Sequence, residues 1–175
     1  RGETTNVIQE ARKRKTNLYL EDRNTFMSYL LSDITRFVNY CKKKDKLPCI
    51  RLNGTSDIQW ENIYVDDKNI FELFPHIQFY DYTKIPTRKV AQYTNYHLTW
   101  SYSEASSKYA QYFDTIKYNI AVVFNGDMPI HFKGREVVNG DESDLRFLDK
   151  SNVIVGLKAK GKAKKDTSGF VIQTA

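Results

Sequence analysis

Cysteine, histidine and long apolar runs are all scarce in these 175 residues, and each shortage removes a class of function. Two cysteines, Cys41 and Cys49, cannot build the disulfide framework that staples a small secreted domain. They are expected as reduced core thiols, a usage that points to an intracellular, cytoplasmic setting. The three histidines, His76, His97 and His131, stand singly. No His-x-His pair occurs and no cysteine lies near them at zinc spacing, so no zinc site is expected. The glycines form neither a Gly-x-Gly-x-x-Gly fingerprint nor a Gly-Lys-Ser/Thr phosphate loop. No apolar run approaches the roughly 20 residues that span a bilayer, and no signal peptide is visible, so no membrane partner is expected. The chain opens on Arg1 and not on Met, so residues upstream are expected.

What is present fits one α/β domain over residues 1–175. Its parts are a basic helical stretch, 1–46, and a Lys-rich tail, 157–175. Hydrophobic residues make up 41%, enough for a core and too many for a disordered chain. Tyrosine and phenylalanine are abundant, at 12 and 10, and each tyrosine needs a partner for its hydroxyl. The net charge of +6 is unevenly placed. Residues 1–46 and residues 150–175 each carry +5, which leaves −4 between them. Basic ends around a mildly acidic centre suit a phosphate-binding rim. Simple solvation of the lysines is an equally open reading.

Two helices lead the chain. In 4–18, Val7, Ile8, Ala11 and Leu18 mark a rough apolar face, and "RKRK" at 12–15 makes the other face basic. In the second, Phe26, Leu30, Ile34, Phe37 and Cys41 recur at spacings of three and four. Asp22 is its expected N-cap, and Lys42, Lys43 and Lys44 suit the negative end of its dipole. After Pro48 short strands alternate with short helices. Strands are expected at "CIRLN", at 77–84, at 96–103, at 119–125 and at 152–160. Short helices are expected before Pro75 and over "SEASSKYAQYFDTIK", with a strand or turn and a helical turn in "REVVNGDESDLRFLD". This alternation predicts a mostly parallel sheet, open or an incomplete, TIM-like barrel, with two N-terminal helices. The terminal "FVI" is expected to pair at a sheet edge.

The opening strand, "CIRLNGTSDIQWE", breaks off into five small or polar residues, Asn53 to Asp57. Ligands of parallel α/β sheets bind beyond the carboxyl ends of the strands. Those ends gather polar side chains here. Asn53, Thr55, Tyr80, Tyr82, Trp100, Ser101 and Asn125 are candidate ligand-binding residues. Asp57, Asp81 and Glu104 are candidate general acids or bases, with Lys84 to orient an anion. Alternation is expected to turn either Tyr80 or Tyr82 away from the crevice. Turn chemistry alone would also explain Asn53 to Asp57. No cofactor is evident. A divalent metal on Asp57, Asp81, Glu104 or Asp127 is chemically open, though no spacing requires one.

The runs "IRLNGTSDIQWE", "FPHIQFYDYTK" and "YHLTWSYSE", with "GETTNVIQEARKRKT" at the start and "GFVI" at the end, resemble the gene product 88-like family of phage and plasmid proteins. The likeness runs over roughly residues 2 to 170. It implies a phage or mobile-element origin, a host-cell setting and an α/β, barrel-like fold. It also implies a cysteine-bearing segment upstream, so cluster or metal chemistry is not expected of this stretch by itself.

The leading expectation is a protein that binds or processes nucleic acid or a nucleotide. Arg12, Lys13, Arg14, Lys15, Lys158, Lys160 and Lys162 would neutralise phosphate, and Tyr80, Tyr82 and Trp100 would stack on bases. A small-metabolite enzyme using carboxylate acid–base chemistry and a host-directed interaction protein without catalysis are the alternatives.

Overall fold

Residues 6–103, 113 and 116–174 are described by the computed structural model. The expected helix over 103–117 falls almost wholly outside them. The chain forms two compact units, residues 1–48 and residues 49–175.

The first unit is a helical pair, α1 (Asn6–Glu21) and α2 (Arg23–Lys43). Asp22 lies between them and caps α2 by accepting from the Thr25 backbone N–H at 3.0 Å. That bond satisfies one of the donors every helix start leaves open. Hydrogen bonding from the Thr25 side chain and then its backbone holds the Asp22 carboxyl below its ordinary pKa. Tyr19 meets Phe26 edge-on at 5.3 Å across the junction. Lys42 and Lys43 end α2 as its dipole favours. No helix among the described residues is long and apolar enough to cross a membrane.

The second unit is an open, mostly parallel α/β fold. Its strands are β1 (Cys49–Ile50), β2 (Tyr64–Val65), β3 (Lys68–Asn69), β4 (Gln78–Thr83), β5 (Tyr96–Ser101), β6 (Asn119–Asn125), β7 (His131–Phe132), β8 (Arg135–Asn139), β9 (Ile154–Lys158) and β10 (Val171–Gln173). A short helix, α3 (Ile70–Leu73), follows β3. Asn69 caps it by accepting from the Phe71 and Glu72 backbones, and Glu72 returns a bond to the Asn69 N–H at 2.8 Å. β2 and β3 form a separate hairpin whose turn puts Asp66 and Asp67 both at positive φ.

The main sheet runs β1-β4-β5-β6-β9-β8-β7. Every pair in it is parallel except β7 with β8. Among the described residues it does not close, since β1 pairs there only with β4. The "FVI" tail pairs with β6, but not at an outer edge. β5 pairs with β6 as far as Ser101 opposite Ala121, and β10 takes over from Val171 opposite Val123. β9 holds the other side of β6 throughout. The tail therefore continues the line that β5 leaves.

One face of the sheet carries the main core: Trp100, Phe113, Ile116, Ile120, Val122, Phe124 and Ile154. On β4 that face shows Phe79, Asp81 and Thr83, and register places Tyr96, Leu98 and Trp100 beside them. Tyr80 and Tyr82 are two residues apart and share the opposite face, with His97 and Thr99. Alternation therefore does not separate the two tyrosines, because the strand period is two. Cys41 is a buried thiol, and Cys49 is half-buried.

Candidate functional site at the carboxyl edge of the sheet

Beyond the ends of β1, β4 and β5 lies a cleft of about 290 Å³. Arg51, the loop from Asn53 to Asp57, Tyr82, Thr83, Lys84 and Ser101 line it. The loop owes its shape to Asn53, which is 2% exposed. Its Oδ1 accepts from Ser56 Oγ (2.9 Å), the Ile58 N–H (3.0 Å) and Trp60 Nε1 (3.1 Å). Its Nδ2 donates to the Ile58 carbonyl at 3.0 Å and to Asp81 Oδ2 at 3.2 Å. A strand that enters the core thus ends in small polar residues because one buried amide gathers them into a turn.

Asp81 lies beneath that turn and is fully buried. It accepts from the Asn53 N–H at 2.7 Å and from the Tyr96 hydroxyl at 3.3 Å. Burial pushes its pKa up from 3.8 to about 6, while the hydrogen bonds and the nearby Arg88 oppose the rise. Tyr96 connects Asp81 to an ion-pair cluster by accepting from Arg88 Nη2 at 2.9 Å. Arg88, buried like Asp81, grips Glu61 with two bonds of 2.9 and 2.6 Å and reaches Asp57 at 3.3 Å. Burial works to lower the Arg88 pKa, but the Glu61 carboxylate and the Tyr96 contact more than offset it, so the guanidinium stays charged. Burial raises the Tyr96 phenol well above its ordinary value. The second oxygen of Asp57 accepts from the Lys84 N–H at 2.7 Å.

Asp57, the carboxylate of the lining, and the buried Glu61 that shares Arg88 with it are therefore already committed. The cations of the cleft are not. Arg51 stacks on Tyr82 at 4.6 Å, and its Nε donates to the Asn53 carbonyl at 3.3 Å. Lys84 Nζ stands 5.8 Å from the Phe170 ring. Neither side chain has a carboxylate partner among the described residues. The hydroxyls of Thr55 and Ser101 complete a lining rich in donors.

The structure thus brings together Asn53, Thr55, Asp57, Tyr82, Lys84 and Ser101, with Asp81 behind them. Three other candidates lie elsewhere. Trp100 is 1% exposed in the core, with its indole N–H towards the Lys84 carbonyl at 3.4 Å, so no base can stack on it there. Tyr80 packs on Phe147 at 5.7 Å, away from the cleft lining. Asn125 holds the tail, donating to Gln173 Oε1 at 2.8 Å and accepting from the Thr174 N–H at 2.9 Å. Glu104 lies outside the described residues. Among those residues, no group of three or more His, Cys, Asp or Glu side chains is placed to hold a metal ion.

Of the basic candidates, Arg12, Lys13, Arg14 and Lys15 lie on α1 in the first unit, where Lys13 pairs with Glu10 at 3.0 Å. Lys158 ends β9 at the carboxyl edge and Lys160 and Lys162 follow it, with Lys160 paired to Asp141 at 2.6 Å. Sequence reasoning missed Arg51, Glu61, Arg88 and Tyr96. Arg51 could have been found as a cation just past the end of a strand. Arg88 could not, since it sits beside the exposed Lys89 in the same polar link.

The family model of Gene product 88 matches residues 1–174. The chain belongs to the Gene product 88 family. The match takes in both units, so the helical pair and the cleft-bearing sheet are both parts of a Gene product 88 protein. No curated protein and no solved structure matches the chain significantly.

Proposed function

We propose that this Gene product 88 protein is phage-associated and binds a phosphate-bearing ligand, a nucleotide or nucleic acid, in the cleft at the carboxyl ends of β1, β4 and β5. The observation that carries this is the charge balance of the rim. Asp57 and Glu61 are consumed by Arg88 and a backbone N–H, while Arg51 and Lys84 face the cleft without an acid. An anion is the complement to such a rim, and phosphate is held well by guanidinium, ammonium and hydroxyl donors together. We infer a host-cytoplasmic setting, where such ligands occur. Carboxylate acid–base catalysis on a metabolite has less support, because Asp81 is fully buried beneath Asn53 and both oxygens of Asp57 are engaged.

The test is fluorescence-polarisation and calorimetric binding of a labelled oligothymidylate and of thymidine 5′-phosphate at low salt. Arg51→Ala and Lys84→Ala should each weaken binding by about tenfold or more, the size of a lost charged hydrogen bond. Both side chains are exposed, so the fold should survive either change. Absence of binding at low salt, or variants that bind as the parent does, would overturn the reading.

A further inference from the structure

The cleft is one end of a longer basic edge. β10 continues the line of β5 above Ser101, so the chain before it, residues 159–170, crosses the same carboxyl edge that bears Arg51 and Lys84. Two contacts anchor that crossing. Asn125 Nδ2 at the end of β6 donates to the Lys164 carbonyl at 3.3 Å. The half-buried Phe170 ring stands beside Lys84. The turn Gly161–Lys165 carries Lys162, Lys164 and Lys165, all exposed.

Two acids near this edge are engaged, one by a cation and one by neutral donors. Asp141 accepts from the Lys158 N–H and from Lys160 Nζ. Asp166 accepts from Ser168 Oγ at 2.8 Å and from the Val171 N–H at 3.1 Å. Lys162, Lys164 and Lys165 have no ion-pair partner among the described residues. Asp166 and, just after β6, Asp127 are carboxylates here without an ion pair among the described residues. The edge turns acidic only past β8, at Glu142 and Asp144.

From this placement we infer that the ligand is a single-stranded polynucleotide whose backbone runs along the carboxyl edge, from Arg51 and Lys84 past Phe170 to Lys162, Lys164 and Lys165. This rests on the phosphate-binding reading of the cleft and adds the ligand's length and path to it. From β1 to β9 the edge crosses four strand spacings, about 19 Å. One nucleic-acid strand carries a phosphate about every 3.4 Å in its stacked form, so the edge fits roughly five nucleotides. Five cations along a path with an accessible ring between them is the arrangement that tracks a single strand without reading its sequence.

The experiment compares decathymidylate, its duplex with deca-adenylate and thymidine 5′-phosphate on the full chain, with the variant Lys162→Ala/Lys164→Ala/Lys165→Ala. The parent should bind decathymidylate about tenfold or more tightly than thymidine 5′-phosphate. Its logarithmic salt slope should be roughly −3.5 for five contacts. The triple variant should lose about tenfold for decathymidylate with a slope near roughly −1.4, and bind thymidine 5′-phosphate unchanged. The matching Lys→Arg triple variant should bind like the parent. The inference is overturned if the nucleotide binds with Arg51 and Lys84 dependence while decathymidylate binds no more tightly, if the triple variant matches the parent, or if the duplex binds better than the single strand. Failure of every probe to bind at low salt would instead remove the reading of the cleft itself, and this inference with it.

Discussion

A buried carboxyl sets the pH response of the site. Asp81 has no access to water and three donors around it: the Asn53 N–H, Asn53 Nδ2 and the Tyr96 hydroxyl. These suit the ionised form, but loss of hydration outweighs them and raises the pKa to about 6. The folded protein therefore holds a proton on Asp81 between about pH 4 and 6, where the unfolded chain has released it. Stability from this group is fully present below about pH 4 and is lost as the pH rises through about 6. The loss is up to about 3 kcal/mol. Urea unfolding of the parent and of Asp81→Asn at pH 4.5 and 7 isolates it, because the variant cannot titrate there. The parent should lose stability relative to Asp81→Asn on going to pH 7. A pH-independent difference would mean an ordinary pKa and sink this account.

Among the elements, the tail strand depends on one backbone position. Gly126 follows β6 at φ +109, a region side chains avoid, and a Cβ there would sit 2.4 Å from the Thr174 carbonyl oxygen. The close approach lets Thr174 donate to the Asn125 carbonyl and seats Val171 in the core at 4% exposure. Gly126→Ala should cost roughly 1–3 kcal/mol, since strain and the clash act together. The loss should concentrate on β10. Limited proteolysis should then cut within 159–170 many times faster than in the parent, while β6 and β9 stay intact. A variant as resistant as the parent would show that the tail docks without this turn.

Over the whole molecule, protection should follow position in the sheet. β6 and β9 lie at its centre, and Ile120, Val122, Ile154 and Val155 are wholly buried there. β1 and β7 are two-residue strands at its two ends. Opening an end strand exposes little, whereas opening the centre requires unfolding the sheet. Hydrogen exchange should be slowest at 120–124 and 154–157 and much faster at 49–50 and 131–132. Equal rates at β6 and β1 would contradict this order. The crossing Lys-rich segment is exposed and has few apolar anchors, so its amides should exchange early, and a bound single strand should slow them.

Local features of the chain were legible in its sequence. Asp22 reads as a cap and is one, and the run at 119–125 coincides with β6, because capping and apolar continuity act over a few residues. The alternation of strands with helical or polar links implied parallel order, and that order put Asn53, Asp57 and Lys84 at one edge. Long-range choices were not legible. Nothing local distinguishes Trp100 as core from Trp100 as a stacking ring, or the buried Arg88 from the exposed Lys89. The apolar "FVI" reads as a strand, but its place beside β6 depends on β5 stopping at Ser101, 70 residues earlier in the chain than Val171. A strand's own residues encode which faces can be buried, but its neighbours are selected by the free edges the rest of the sheet leaves. The commitment of Asp57 and Glu61 to Arg88, which leaves Arg51 and Lys84 to face the cleft, was therefore decided only in the folded molecule.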